Sequence, residues 1–222
     1  MAKPVHVDHV EPDLVAGWVA ARSIARGLPA PVLDHGGLRA DTGLPGETRR
    51  YVFAGPAHGI RALAESIDEP HIPIKMCGTG DQLLALVPRR WELQPAAYFM
   101  TRDGAGEAAP IPASGYRLEF SIENQATAAR IVAEDGSVAA SGYAAEHGGV
   151  FIYDRISTDA AHRRRGLGKA LMAALGATRR DAASRQVLVA TEEGRALYVT
   201  LGWRVLAPYS TVLINAVASA RT

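Results

Sequence analysis

The chain predicts an α/β fold with a mixed, mostly antiparallel central sheet and flanking helices, preceded by a smaller α/β half that reads as a divergent repeat. Three features predict it. Short β-forming segments separated by turn residues occupy the middle of the chain, strand, glycine turn and helix then follow one another twice toward the C-terminus, and the first half shows a fainter version of the same order. The 222 residues, 48% hydrophobic and 21% charged, are enough for one large domain or two small ones with a buried core, and they exclude a disordered chain.

In chain order, Leu14, Trp18 and Arg22 stand at helical spacing and predict an opening helix near Leu14 to Arg26. The following LPAPVLDHGGLRADTGLPGE is too long and glycine-rich for a simple connection and reads as a loop with a purpose of its own. YVFAG then leads into HGIRALAESI, IPIKMC into GDQLLALVPRRW, and AAYFM follows, as strand, helix, strand, helix, strand. Thr101 to Gly115, rich in Gly, Ala and Pro with no apolar period, reads as a linker, and all prolines but Pro208 lie before its end. The expected division is therefore 1–112 and 113–222.

In the second half, Tyr116 to Glu123, Ala129 to Asp135 and Val138 to Glu146 read as strands of an antiparallel meander. The strongly β-forming Val150 to Ser157 precedes a basic, glycine-containing turn and a helix striped by Leu167, Leu171 and Leu175. Val187 to Ala190 is a continuous apolar run suited to a sheet covered on both faces, Leu197 and Leu201 stripe a second helix ending near Gly202, and STVLINAV closes the chain as a strand.

A net charge of +1 gives no general attraction to nucleic acid or an anionic membrane. The single cysteine, Cys77, forms no intrachain disulfide and reads as a small buried hydrophobe, no segment has the ~18 apolar residues of a membrane span, and a cytoplasmic location is expected. His6, Asp8 and His9 imitate a metal site without a third convincing ligand, so no metal is expected.

One basic cluster stands out. Arg163, Arg164, Arg165 and Lys169 surround Gly166, Leu167 and Gly168 at the predicted start of a helix, where unpaired N–H groups and a partial positive charge make an anion cradle. A P-loop would need a glycine where Arg163 stands, and a dinucleotide fingerprint would need one at Leu171. No aromatic residues interleave with the arginines as a nucleic-acid surface would require. The spacing that fits is Arg/Gln-x-x-Gly-x-Gly/Ala, met by Arg163, Gly166 and Gly168, and about thirty residues later the chain reads Leu197-Tyr198-Val199-Thr200-Leu201-Gly202-Trp203.

These two motifs, in this order, resemble those of the GNAT superfamily of acyl-CoA-dependent N-acyltransferases, over about Tyr116 to Val217. The resemblance implies that acetyl-CoA is the co-substrate, its pyrophosphate held by the backbone amides of Arg164 through Lys169 and its pantetheine arm by Ile156 and Thr158 on the preceding strand. It implies an acetyl transfer to a primary amine, with Tyr198 as the acid that protonates the departing thiolate. The chain departs from the family at Thr191, where an asparagine often stands, and between Glu123 and Ala129, where a pair of helices is missing. The first half is therefore expected to wall the acceptor site, through the opening helix and the loop after it, with Trp18, His35 and Arg39 near the substrate. Its own turn, Gly55 to Gly59, lacks the glycine spacing and is not expected to bind CoA.

Asp154 shares a face with Ile152 and Ile156 by strict alternation and is the candidate base; the other reading is an Asp paired with Arg155 or another cation. Glu119, Glu123 and Glu146 are further carboxylates, and water is another route for the proton. Tyr198 read from periodicity alone is a packed helix residue. The acceptor is expected to be a small, weakly charged amine or amino-acid-like molecule, and the protein a monomer or homodimer, with no nucleic acid and no membrane among its partners. A CoA-binding sensor or assembly module without turnover is the alternative, favoured if Tyr198 and Asp154 do not face a common cleft.

Overall fold

The computed structural model describes residues 10–104 and 114–215; His6, Asp8 and His9 lie outside them, as does most of the expected linker. The opening helix α1 (Pro12–Ala25) starts with proline at its first turn, where the missing N–H costs nothing. Then come β1 (Val32–Asp34), β2 (Gly37–Leu44), β3 (Glu47–Phe53), α2 (Gly59–Ser66), β4 (Ile74–Cys77), α3 (Gly80–Leu84), β5 (Trp91–Leu93) and β6 (Ala97–Arg102). The second half supplies β7 (Tyr116–Glu123), β8 (Ala126–Ala133), β9 (Val138–His147), β10 (Val150–Thr158), α4 (Leu167–Gly176), β11 (Arg185–Thr191), α5 (Glu192–Thr200) and β12 (Arg204–Ile214).

All twelve strands form one sheet in the order β1-β2-β3-β4-β12-β6-β11-β10-β9-β8-β7, with β5 also on β12. Among the described residues only β3 with β4 and β10 with β11 are parallel, each pair joined by a helix, and every other ladder is antiparallel. The two halves exchange strands. β6 lies between β11 and β12, while the end of β12 pairs with β4, so each half places its last strand in the sheet of the other. The expected division at 112/113 thus separates the chain in sequence but not in space.

Two expectations are corrected here. Leu28 to Glu47 is not a loop over the site but the source of β1 and β2, and the last strand begins at Arg204 rather than Ser210. Pro208 hid its start, because proline argues against a central strand. The strand tolerates it through a register shift between Val205 and Ala207, and the Pro208 carbonyl still accepts the Gly78 N–H at 2.8 Å.

Side chains alternate between the sheet's faces. Ile152, Val187 and Phe99 pack with α1 on one face, while Phe151, Tyr153, Leu188 and Met100 pack with α4 and Trp203 on the other. On that second face α2 covers the first half, through Ile60 and Leu63 against Phe53 and Met76. The helix α1 crosses the middle, packing Trp18 edge-on to Phe99 and Tyr209 at centroid distances of 5.4 and 5.6 Å. Among the described residues no helix is long and apolar enough to cross a membrane.

Candidate functional site

β10 and β11 pair only from Val150 to Ile152 against Arg185 to Val187, and then diverge. The divergence starts at a bulge, where the register of β10 against β9 shifts between Asp154 and Ser157 and Arg155 takes a left-handed φ of 53°. Alternation fails across that bulge. Asp154 stays on the α1 side, but Ile156 turns to the α4 side, where its Cδ1 lies against Gly142 and its side chain packs in the cluster of Leu171 and Leu175. The expectation that Asp154 and Ile156 share a face is overturned by one left-handed residue.

The cleft that opens holds two cavities that share Ile156, Thr191, Gly194 and Tyr198. One, of about 440 Å³, is lined by Ser157, Thr158, Arg163, Arg164, Gly166, Leu167, Gly168, Lys169 and Leu197 besides the shared residues. The residues expected to hold CoA therefore converge there, except Arg165, whose Nη1 donates to the Tyr116 hydroxyl at 3.0 Å. Gly166 caps α4 with φ of 75°, a left-handed geometry that glycine adopts without penalty, and the following amides of the first turn have no carbonyl partner within the helix. A Cβ at Gly166 would meet nothing within 4 Å, so the surface over the turn is open. The corresponding turn of the first half is closed, because a Cβ at Gly59 would run into the His35 carbonyl oxygen.

The second cavity, of about 380 Å³, lies toward α1 and is lined by Trp18, Arg22, Arg26, Lys75, Asp154, Arg155, Tyr209 and Thr211 besides the shared residues. Asp154 and Tyr198 thus face a common cleft. Trp18 lines it, whereas His35 and Arg39 do not; both are held by Asp34, at 2.6 and 3.2 Å, on the hairpin at the far edge of the sheet.

Asp154, the carboxylate that lines this cavity, is heavily paired. Arg26 donates from Nε and Nη2 to its two oxygens at 2.7 and 2.9 Å, and Arg22 and Arg155 approach at 3.4 and 3.3 Å. Burial opposes its ionisation, but the Arg26 hydrogen bonds and the charges of Arg22, Arg26 and Arg155 outweigh burial and hold the carboxyl below its usual range. That is an ion-paired anchor between α1 and β10, and a poor proton acceptor. The other carboxylates are also engaged: Glu119 with Arg117, Glu123 with Tyr143, and Glu146 with the N–H groups of Arg180 and Asp181.

Tyr198 is 8% exposed and stands on α5 with its ring 6.2 Å from that of Trp203. Burial pushes its pKa up to about 12, so it carries its proton throughout the neutral range. Thr191 caps α5 by accepting the Gly194 N–H at 3.2 Å, which commits its hydroxyl to the helix. Cys77 is buried, its thiol pushed up to about 12, and does not line either cavity. No cluster of His, Cys, Asp and Glu able to hold a metal occurs among the described residues.

Sequence reasoning missed Arg22 and Arg26 as lining residues, although Trp18, Arg22 and Arg26 recur every fourth residue along one helix face. It also missed Lys75, a lone cation inside the apolar run IPIKMC.

Residues 126–205 match the family model for the acetyltransferase (GNAT) domain. No curated protein matches the chain. Among solved structures it is similar to a GCN5-related N-acetyltransferase from Kribbella flavida, with 16% identity and a TM-score of 0.62 over 91% of this chain and 96% of that one. It also resembles a GCN5-related N-acetyltransferase-like protein from Streptococcus suis (13% identity, TM-score 0.58, 90% and 93% covered). A third is a tandem GNAT protein from the clavulanic acid biosynthesis pathway (14% identity, TM-score 0.54, 92% and 88% covered). These likenesses show the fold.

Proposed function

We propose, from the premise that this chain belongs to the GNAT superfamily and carries its acetyltransferase domain at residues 126–205, that it moves an acetyl group from acetyl-CoA to the primary amine of a small molecule. The observation that carries the reading is the position of Tyr198 at the junction of the two cavities, between the glycine turn of α4 and the space toward α1.

The cradle at Gly166 to Lys169 fits a pyrophosphate, and Arg163 and Arg164 add charge beside it. Acetyl-CoA supplies the acyl group as a thioester. The splayed edge of β10 at Ile156 and Thr158 offers backbone groups along the cavity wall, where they can hold an extended arm. Tyr198 keeps its hydroxyl proton through the neutral range and donates it toward the departing sulfur as the amine's C–N bond forms and the C–S bond breaks. Asp154 orients Arg22, Arg26 and Arg155 and leaves the amine proton to water.

The test is release of free thiol from acetyl-CoA against a panel of amines, amino acids and peptides, with Tyr198→Phe beside the unaltered chain. Turnover falls ~10²-fold in the variant, in the range of general acid catalysis, while acetyl-CoA affinity by calorimetry stays within twofold. A variant with full turnover makes Tyr198 a packing residue. Binding of acetyl-CoA without thiol release on any amine supports the sensor reading instead.

A further inference from the structure

The acceptor-side cavity is strongly cationic for a site expected to take an amine. Arg22, Arg26, Arg155 and Lys75 line it, and among the described residues Asp154 is its one lining carboxylate. These cations do not stand alike. Arg26 is spent on both oxygens of Asp154, and Arg155 lies over the Tyr143 ring at 3.6 Å with a further hydrogen bond to the Ala25 carbonyl. Arg22 makes only a long 3.4 Å contact to Asp154, with its guanidinium over Trp18 at 5.3 Å. Lys75 reaches Glu47 at 3.4 Å, and that carboxylate is already bonded to Arg50 at 2.6 Å.

The neighbourhood of Lys75 carries more positive than negative charge. Burial lowers its pKa to about 8, Arg22 and Arg50 push in the same direction, and Glu47 opposes them without prevailing. Arg50 is lowered to about 10, by burial first and then by Arg22 and Arg26. Each of these cations is therefore less stable for the presence of the others, and an anion placed among them is stabilised by all. Tyr209, another lining residue, adds a buried hydroxyl that has no hydrogen-bond partner among the described residues. None of these residues lies at the Tyr198 junction, so the cation excess sits on the side of the cavity away from the reacting atoms.

We propose that the acceptor is a small amine that also bears an anionic group, a carboxylate or a phosphate, and that Lys75 and Arg22 seat this group while the amine faces Tyr198. This rests on the acetyltransferase reading above. It replaces the expected weakly charged acceptor with an anionic or zwitterionic one and disfavours polyamines, whose added cations would face Arg22 and Lys75. The cavity of about 380 Å³ has room for a molecule of amino-acid size.

The experiment uses matched pairs: amino acids against their carboxamides, and aminoalkyl phosphates against the corresponding amino alcohols. Thiol release is measured with the full chain, Lys75→Met and Lys75→Arg, and calorimetry with N-acetylglycine and N-acetylglycinamide gives a second readout without turnover. The anionic member of the productive pair has a kcat/KM about 10- to 100-fold higher, the worth of a hydrogen bond to a charged group. Lys75→Met removes that preference by raising KM for the anionic member alone, and Lys75→Arg restores it. The pair that responds identifies carboxylate or phosphate. Equal use of both members, or an equal loss for both in Lys75→Met, overturns the proposal and leaves acetyl transfer standing. If no amine is acetylated, the transfer reading fails, and the calorimetric preference for N-acetylglycine over its amide still decides whether the cavity takes an anion.

Discussion

Arg26 grips both carboxylate oxygens of Asp154, tying the C-terminal end of α1 to the point where β10 leaves β11. The helix end and the bulge are 128 residues apart in sequence, and both residues of the pair line the smaller cavity. Arg26 also sits at the C-cap of α1, where a cation complements the partial negative charge of the helix terminus.

Removing the carboxylate leaves three guanidinium groups against one another. Asp154→Asn is expected to lose about 3 kcal/mol of stability in urea unfolding at pH 7, as for breaking a buried pair. The sign with pH follows from the lowered carboxyl pKa: the stabilisation is complete above the unfolded value near 4 and is lost as pH falls through the still lower folded value. The gap between wild type and variant therefore closes in acid. A difference under 0.5 kcal/mol at neutral pH shows that the anchor is dispensable.

The glycine turn before α4 was legible because backbone geometry there is written in glycine: Gly166 and Gly168 stand at fixed spacing after a β-forming run and can be read without a structure. The smaller cavity was not legible in the same way. Its lining comes from α1, β4, β6, β10, β11, α5 and β12, elements from both halves of the chain, and no local pattern encodes how they meet. Alternation along β10 predicted the face of Asp154 and failed at Ile156, because a left-handed Arg155 is invisible to a period of two. The three-residue β5 and the proline-bearing start of β12 were too short or too broken to register as strands, yet both pair in the sheet.

The cradle itself separates three neighbouring arginines. Arg163 and Arg164 line the larger cavity, whereas Arg165 is turned to Tyr116. Arg163→Glu and Arg164→Glu are expected to weaken acetyl-CoA binding about tenfold each, the worth of a charge-assisted phosphate contact, and Arg165→Glu less than threefold. Gly166→Val weakens binding too, because a left-handed β-branched residue costs at least ~1–2 kcal/mol and its side chain covers the turn. Calorimetric titration checks all four, and a ranking with Arg165 foremost contradicts the geometry.

Lys75 gives a prediction of opposite sign to Asp154. Its pKa of about 8 lies below that of an exposed lysine, so the cost of burying its charge, beside Arg22 on α1 and Arg50 and Glu47 on β3, is fully present below pH 8. As pH rises from about 8 toward the unfolded value, the folded state sheds the proton first and stability increases. Lys75→Met is accordingly expected to be more stable than the unaltered chain at pH 7, by on the order of 1–3 kcal/mol, with the advantage shrinking toward pH 10. Urea unfolding at pH 7 and pH 9.5 measures both points. A destabilised variant at pH 7 means that the pair with Glu47 outweighs burial.

The strand exchange makes the sharpest prediction about the two halves. A chain starting at Ala113 lacks β6, and with it the ladder that joins β11 to β12. It also lacks α1, whose Leu14, Val15 and Trp18 cover Ile152 and Val187. An open edge on β11, a β12 stripped of all its partners and an uncovered apolar face cannot be offset by the cradle's own contacts, since exposed apolar surface costs ~25 cal/mol per Å² and open edges invite pairing between chains. The fragment is expected to be insoluble or aggregated and to bind no acetyl-CoA. Starting instead at Ala97, which retains β6, does not rescue it, because α1 is still absent. Adding residues 1–104 as a separate chain is expected to recover soluble complex, since the missing strand and helix are both supplied. Size-exclusion chromatography with acetyl-CoA titration follows each step, and a monomeric, CoA-binding 113–222 fragment would show that the second half needs neither β6 nor α1.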